Sequence, residues 1–160
     1  MTDNFPKMNF VGLDGILIQF SLEICESGNS AALAFRQEIE KKKTSFIIES
    51  SNSLTAAYFR IDTKIAPAYS ILNFFDDLLK EKNWYASKLP SNRKLFKVPC
   101  VFGTDLAPQF EEVIKLAKIS RAQAIKEFTT TKTRVMTIGF SPGQPYVGLL
   151  SEKWNVPRLA

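Results

Sequence analysis

The stretch 67–80 restricts the possible folds of this chain more than any other part of the sequence. Its apolar residues recur every three or four positions, which places them on one face of a helix, and Pro67 suits the first turn. The residues on that face are Ala68, Ile71, Leu72, Phe75, Leu78 and Leu79. A helix with one wide apolar face must bury it against another layer. The stretch therefore predicts a layered domain.

The neighbouring patterns indicate that the other layer is a β-sheet. Residues 16–20 alternate in polarity and predict a strand, while residues 44–61 contain two strand patterns around a Ser/Asn turn. Residues 27–43 predict a first helix, with capping oxygens at its start and three lysines at its end. Residues 94–101 predict a closing strand. This β-α-β-β-α-β order predicts an α+β fold with a ferredoxin-like sheet and two helices.

Charge predicts a domain boundary near residue 90. Residues 1–90 carry 10 basic and 11 acidic side chains, whereas residues 91–160 carry 11 and 5. A turn-rich stretch at 87–92 separates the two parts, so we expect one domain over 1–90 and another over 91–160.

The second part begins with a predicted pair of helices. Pro108 opens the first helix, and Ser120 with Gln123 forms a capping-box pattern that opens the second, which runs to about Phe128. Residues 134–140 then predict a strand.

The residue types exclude several classes of active site. The sequence contains no histidine and only two cysteines, Cys25 and Cys100. The chain alone therefore cannot build a Ser-His-Asp triad, a Cys-His dyad, a histidine-ligated zinc site or a four-cysteine metal site. It also lacks the glycine-rich motifs that bind nucleotide phosphates. We expect no catalytic residue, no metal and no cofactor in this chain, and another chain to complete any active site.

The same inventory predicts where the protein resides. Two cysteines are too few for a disulfide framework and favour a reducing compartment. No apolar run approaches the about 18–20 residues of a membrane span, and the N-terminus shows no secretory signal. We expect a cytoplasmic protein with no membrane partner.

The predicted helix pair also has the outline of a DNA-reading helix-turn-helix. Arg121, Gln123 and Lys126 would lie on its second helix, in the more basic half of the chain. Helix pairs of this kind are common scaffolding, however, and no glycine marks the turn. We therefore expect no nucleic-acid partner.

Residues 138–150 form the most informative motif. The pattern predicts a strand that runs into a turn containing two prolines and a glycine, and it displays Phe140, Gln144 and Tyr146. One interpretation is a tight structural turn whose aromatic side chains lie in the core, because turn chemistry alone accounts for each of these residue types. A pre-shaped binding loop is the functional alternative, because constrained backbone lowers the entropic cost of binding.

This motif resembles the G-F-x-P-G-F-P-Y-L-G-G-L signature of the allophanate hydrolase subunit 1 family, which includes the B component of 5-oxoprolinase and the kinase inhibitor KipI. Residues 98–103 resemble the V-P-V-x-Y-G-G motif of that family, residues 110–128 its helix pair, and residues 156–158 its T-P-R motif. The resemblance implies a ferredoxin-like first domain and the start of a cyclophilin-like barrel over 91–160, which the family completes with a segment beyond the position of Ala160.

The resemblance also implies an activity and partners. Such a protein works with a carboxyltransferase-like C component and an A component in the ATP-dependent hydrolysis of 5-oxoproline to glutamate, and relatives act on allophanate-type substrates. The assembled complex would use the ATP. Arg158, which matches the arginine of the T-P-R motif, would meet a carboxylate or form a surface ion pair. The residues expected to line the substrate or partner face are Gly139, Phe140, Pro142, Gly143, Pro145, Tyr146 and Gly148.

Two alternatives to this activity stay open. The chain is a non-catalytic binding protein that inhibits a histidine kinase, as KipI does, or it is a degenerate and inactive family member. An incomplete barrel would also leave the strand at 134–140 without one neighbour, which predicts a homodimer or the covering of that edge by a partner or by the first domain.

Overall fold

The computed structural model describes residues 5–139 and 141–157, and the chain divides into two compact units. The first unit extends through Ser91 and also includes Val135–Tyr146. The second consists of Asn92–Arg134 and the residues after Tyr146. Each unit has a hydrophobic core of its own.

One antiparallel sheet forms the framework of the first unit, with the spatial order β1-β2-β4-β3. Its strands are β1 (Lys7–Val11), β2 (Gly15–Gln19), β3 (Ile47–Ser53) and β4 (Ala56–Ile61). The helices are α1 (Glu26–Lys42) and α2 (Ala68–Lys80), and a short 3₁₀ turn, Trp84–Ala86, follows α2. The strands and helices predicted within 16–80 are therefore present, but the turn predicted at 50–53 is wrong, because those residues pair with β4 as part of β3 and the turn lies at 54–55.

The predicted closing strand at 94–101 is wrong. These residues lie in no helix or strand and are all exposed. The position next to β2 is occupied by β1 instead, so the order is β-β-α-β-β-α, with Met8 opposite Ile18 and Phe10 opposite Ile16. Only a tight turn joins β1 to β2, and Gly12 adopts φ +66° in it. A local hairpin loses little loop-closure entropy, which is the advantage of β1 over a more distant strand.

Aromatic packing joins the two helices to the sheet. The ring of Phe35 in α1 lies 6.1 Å from that of Phe59 in β4, and the ring of Phe75 in α2 lies 5.1 Å from the same Phe59 ring. Both helices therefore cover one face of the sheet. The indole of Trp84 closes the core and donates to the backbone oxygens of Leu78 and Leu79 at 3.2 and 3.1 Å, which satisfies carbonyls at the end of α2.

The second unit is built around the predicted helix pair, α3 (Phe110–Leu116) and α4 (Arg121–Thr130). The capping box is confirmed: the backbone N–H of Gln123 donates to the Ser120 hydroxyl, and the backbone N–H of Ser120 donates to the Gln123 side chain. Phe110, Ile114 and Ala124 are buried between the helices. A 3₁₀ turn, Glu152–Trp154, lies against α4, where Trp154 packs on Phe128 with ring centroids 4.4 Å apart.

The remaining strands form a separate two-stranded sheet. β5 (Arg134–Ile138) pairs with β6 (Pro145–Gly148), and the predicted strand at 134–140 thus ends two positions early. No helix in the described part of the chain has the length and apolar content that crossing a bilayer requires.

Candidate binding loop at the β5–β6 hairpin

The turn between β5 and β6 has a backbone fixed by its own sequence. The Gln144 N–H donates to the Ser141 oxygen at 3.0 Å, and the Gly139 N–H donates to the Gln144 oxygen at 3.0 Å. Pro142 and Gly143 occupy the two central positions, with Gly143 at φ +79°. Proline followed by a glycine with positive φ is the signature of a type II turn. The loop is therefore shaped before anything binds to it.

The hairpin displays its side chains to solvent. Every described residue from 141 to 147 is exposed, and Tyr146 and Val147 retain 42% and 60% of their accessible surface. Ile138, at the end of β5, is 65% exposed. This exposure disfavours the interpretation that Tyr146 simply fills the core, and it leaves an apolar surface available for contact.

The residues predicted for the site mostly lie together on this hairpin. Pro142 and Gly143 are in the turn, Pro145 and Tyr146 are in β6, and Gly139 is half-buried just after β5. Gly148 is buried at the end of β6, so it supports the strand and does not line the exposed face. Phe140 and Arg158 lie outside the described residues.

A buried amide holds the hairpin on the first unit. Asn29, in the first turns of α1, is 3% exposed, and its Nδ2 donates to the Met136 backbone oxygen in β5 at 2.9 Å. The same nitrogen donates to the backbone oxygen of Leu54, in the turn between β3 and β4. One side chain thus connects α1, the β3–β4 turn and β5.

The capping pattern at the start of α1 predicts that Asn29 supplies only a capping oxygen. Its role as the anchor of β5 was therefore not predicted from the sequence. Asn29 precedes Ala32 by three positions and Phe35 by six, so it lies on the buried face of α1. A polar residue on an otherwise apolar helix face needs a hydrogen-bond partner in the interior. The position of Asn29 on this face therefore indicates a buried hydrogen bond. The sequence does not say which segment supplies the acceptor.

The start of α1 also contains a perturbed thiol. The Cys25 sulfur caps the helix and accepts from the Gly28 N–H at 3.4 Å. Burial raises the pKa of Cys25, but the hydrogen bonds from Gly28, Ser21 and Ser27 outweigh burial, so the pKa is lowered overall. Burial also raises the pKa of the nearby Tyr85, whose hydroxyl donates to the Phe20 oxygen at 2.8 Å. The sequence contains no histidine that could act as a base toward this thiol.

Metal-ligand clusters and recesses would be further candidate sites on the described surface. The described residues contain no group of three or more potential metal ligands. A recess of about 330 Å³ beside α1 is lined by polar side chains that include Glu38, Lys41, Lys82 and Lys88, and none of its lining residues belongs to the hairpin. The hairpin loop thus offers an exposed, pre-shaped surface for contact.

Comparison with known proteins relates nearly the whole chain to one group. The family profile described as "Carboxyltransferase domain, subdomain C and D" matches residues 6–160. The B component of 5-oxoprolinase from Bacillus subtilis is 26% identical over 155 residues, which cover 92% of this chain and 65% of that protein. The corresponding 5-oxoprolinase component of Escherichia coli is 26% identical over 87 residues, which cover 53% of this chain and 40% of that protein. The chain therefore spans less than two thirds of the length of these relatives.

A solved structure shares the fold. The crystal structure of TTHA0988 superposes with a TM-score of 0.67 over 91% of this chain and 27% of that one, at 16% identity. A second crystal form of TTHA0988 gives a TM-score of 0.64 at 18% identity. At these identities the likeness concerns the fold alone.

Proposed function

Because the chain belongs to the carboxyltransferase-domain family of subdomains C and D, we propose that it is a non-autonomous subunit of an ATP-dependent, amide-hydrolysing complex of the 5-oxoprolinase type. The two relatives named as the B component of 5-oxoprolinase support this assignment. The proposed partners are a carboxyltransferase-like C component and an A component, and the assembled complex uses the ATP.

The exposed β5–β6 loop is the single observation that carries the proposed role. Its turn is set by Pro142 and Gly143, its Tyr146 is displayed, and Asn29 anchors it to α1. A loop with this degree of order loses little entropy when a partner or substrate contacts it. We assign to it the wall of a site that a second protein of the complex completes. Phe140 and Arg158 are part of this proposal through their motif positions alone.

The residue types indicate which chemical steps we assign to this chain and which to the other components. Acid-base chemistry near neutral pH commonly uses histidine, which this chain lacks. The groups that activate water and hold ATP phosphates are therefore assigned to the A and C components. This chain supplies backbone N–H groups, the Tyr146 side chain and the arginine at 158 as binding groups.

Reconstitution tests the proposal. The full chain is mixed with the purified A and C components from its own organism, and ATP-dependent release of glutamate from 5-oxoproline is measured. We expect activity only when all three are present, and a loss of about tenfold or more for Tyr146→Ala, the effect of removing an aromatic hot spot. Tyr69→Ala, which removes an exposed tyrosine from α2, is the matched control and should keep full activity. Full activity of the A and C components without this chain would contradict the proposal.

The same loop supports a second candidate, a binding protein that inhibits a histidine kinase. Its support is the exposed loop, whose turn is closed by backbone hydrogen bonds. The discriminating measurement is autophosphorylation of a sensor kinase from the same organism, with and without the chain. Two results together would favour this candidate over the enzymatic role. The chain would inhibit the kinase unless it carries Tyr146→Ala, and it would not stimulate the A and C components.

A further inference from the structure

The recess of about 330 Å³ beside α1 lies against the segment that follows α2. Gln37, Glu38 and Lys41 line it from α1, residues 82–88 line it from the other side, and two alanines complete the lining. Its volume is near the lower end of the range of small-molecule sites, about 300–1,000 Å³. Such sites are mostly apolar, whereas the side chains here are mainly polar or charged. The recess therefore fits a small charged ligand better than an apolar one.

Three ammonium groups line the recess against one carboxylate. The Nζ atoms of Lys41 and Lys82 lie 3.9 and 4.0 Å from the same oxygen, Oε2 of Glu38. Both distances exceed the about 2.7–3.2 Å of an N–H···O hydrogen bond. The third ammonium group belongs to Lys88, which is exposed and has no ion pair with another described residue. One carboxylate is thus shared by two lysines, and two positive charges in the recess are left in excess.

The type of cation indicates which anion fits. A phosphate monoester carries a charge of about −1.5 to −2 at neutral pH, which balances this excess. No arginine is among the described residues that line the recess. The arginine fork matches a planar carboxylate, whereas lysine binds phosphate as a point charge. Lysines alone therefore favour a phosphate group over a carboxylate.

Neutral polar groups lie beside the lysines. The Asn83 Oδ1 accepts from the Tyr85 N–H at 3.1 Å, which leaves the amide nitrogen of Asn83 as a donor. Gln37 and Ser87 add a second amide and a hydroxyl to the lining. The recess is about ten times the volume of one water, about 30 Å³. It therefore has room for an organic group beside the phosphate, and polar partners for hydroxyls on that group.

We propose that this recess binds a small phosphate ester with a hydroxyl-bearing organic group, and that Lys41, Lys82 and Lys88 hold the phosphate. All the residues that line the recess belong to the first unit, and none belongs to the β5–β6 hairpin. The proposal therefore stands or fails independently of the enzymatic assignment.

Titration calorimetry on the full chain tests the phosphate site, with glucose 6-phosphate as the probe at constant ionic strength. We expect saturable one-to-one binding that weakens as salt is raised. Lys88→Gln should weaken binding by about tenfold or more. Lys64→Gln is the matched control, because it removes the same charge from an exposed position of the first unit that does not line the recess. It should retain the affinity within about twofold.

A gain of affinity provides a second test. Glu38→Gln removes the carboxylate that competes with the ligand for Lys41 and Lys82, so it should tighten binding of the ester by about threefold or more. Asp77→Asn, at an exposed position of α2, removes the same charge outside the recess and should change the affinity by less than about twofold. Circular dichroism should show the same folded spectrum for all four variants, since none of these side chains is buried.

Four outcomes would overturn the proposal. The first is the absence of saturable binding at millimolar ester. The second is equal weakening by Lys88→Gln and Lys64→Gln, which would mean that only the overall charge attracts the ester. The third is equal affinity for succinate, because the site would then not select phosphate. The fourth is equal affinity for inorganic phosphate, because the recess would then take a free ion and make no contact with an organic group.

Discussion

The side-chain amide of Asn29 donates a hydrogen bond to the backbone oxygen of Met136, 2.9 Å away and 107 positions later in the chain. Both residues are almost fully buried, so the bond forms out of contact with water. It fixes β5, and with it the exposed loop, to the same helix whose Phe35 anchors the core of the first unit. The position of the candidate binding loop therefore depends on the packing of α1.

Asn29→Ala should release the hairpin from α1. The substitution leaves the buried oxygen of Met136 and the partly buried oxygen of Leu54 without this donor, which costs about 1–3 kcal/mol of unfolding free energy. Urea denaturation measures the loss, and amide exchange in β5 should become faster than in β2. Asn9→Ala, at an exposed position in β1, is the control and should change the stability by less than about 0.5 kcal/mol. Equal effects of the two variants would refute the anchoring role.

Phe75→Ala should destabilise the first unit strongly. The Phe75 side chain is fully buried and lies between the rings of Phe35, Phe59 and Phe74. Truncation of such an aromatic costs about 3–5 kcal/mol through lost burial and the cavity it leaves. The measurement is the midpoint of guanidinium denaturation, with the exposed Tyr69→Ala on the same helix as control. A loss below about 1 kcal/mol would show that this face of α2 does not carry the core.

Gly143→Ala should strain the turn that shapes the loop. Gly143 has φ +79°, where a side chain costs about 1 kcal/mol even though a Cβ there would touch nothing within 4 Å. We expect the Gln144 N–H, which closes the turn, to exchange about fivefold faster. Gly139→Ala is the matched control, because Gly139 lies outside the positive-φ region and also has free space around it. Unchanged exchange at Gln144 in Gly143→Ala would show that the turn tolerates the substitution.

Cys25 should titrate below the ordinary range of a cysteine. Partial burial raises the pKa of its thiol, but hydrogen bonds from Gly28, Ser21 and Ser27 stabilise the thiolate and lower the pKa overall. A group whose pKa is lowered by folding stabilises the folded state above the unfolded pKa, and the contribution is lost as the pH falls through the folded pKa. Relative to Cys25→Ser, the native chain should therefore gain stability as the pH rises toward the unfolded thiol pKa of about 8.5.

The alkylation rate of Cys25 measures this pKa directly. In a Cys100→Ser background, the pH profile of reaction with iodoacetamide should have its midpoint below the free-thiol value, and Ser27→Ala should move the midpoint upward. A midpoint at or above that of a free thiol would show that the hydrogen bonds at the start of α1 do not lower the pKa of Cys25.

Local patterns in the sequence determined most of the helices and strands. The apolar period predicted α2, the Ser120–Gln123 capping box predicted the start of α4, and the two strand patterns within 44–61 predicted the hairpin of β3 and β4. In each case the residues that decide the structure lie within about one or two turns of each other, so the sequence contains the whole interaction. The Pro142–Gly143 turn belongs to the same class.

Only the tertiary structure decided which strand completes the sheet and which residue supports the loop. Residues 94–101 have strand-forming composition, but a strand exists only when another backbone takes up its hydrogen bonds, and β1 occupies the place beside β2. Asn29 lies on a helix face that the sequence reveals, whereas its partner Met136 is brought to it by the fold. Periodicity reports which side of an element is buried; it contains no information about which distant segment will cover that side.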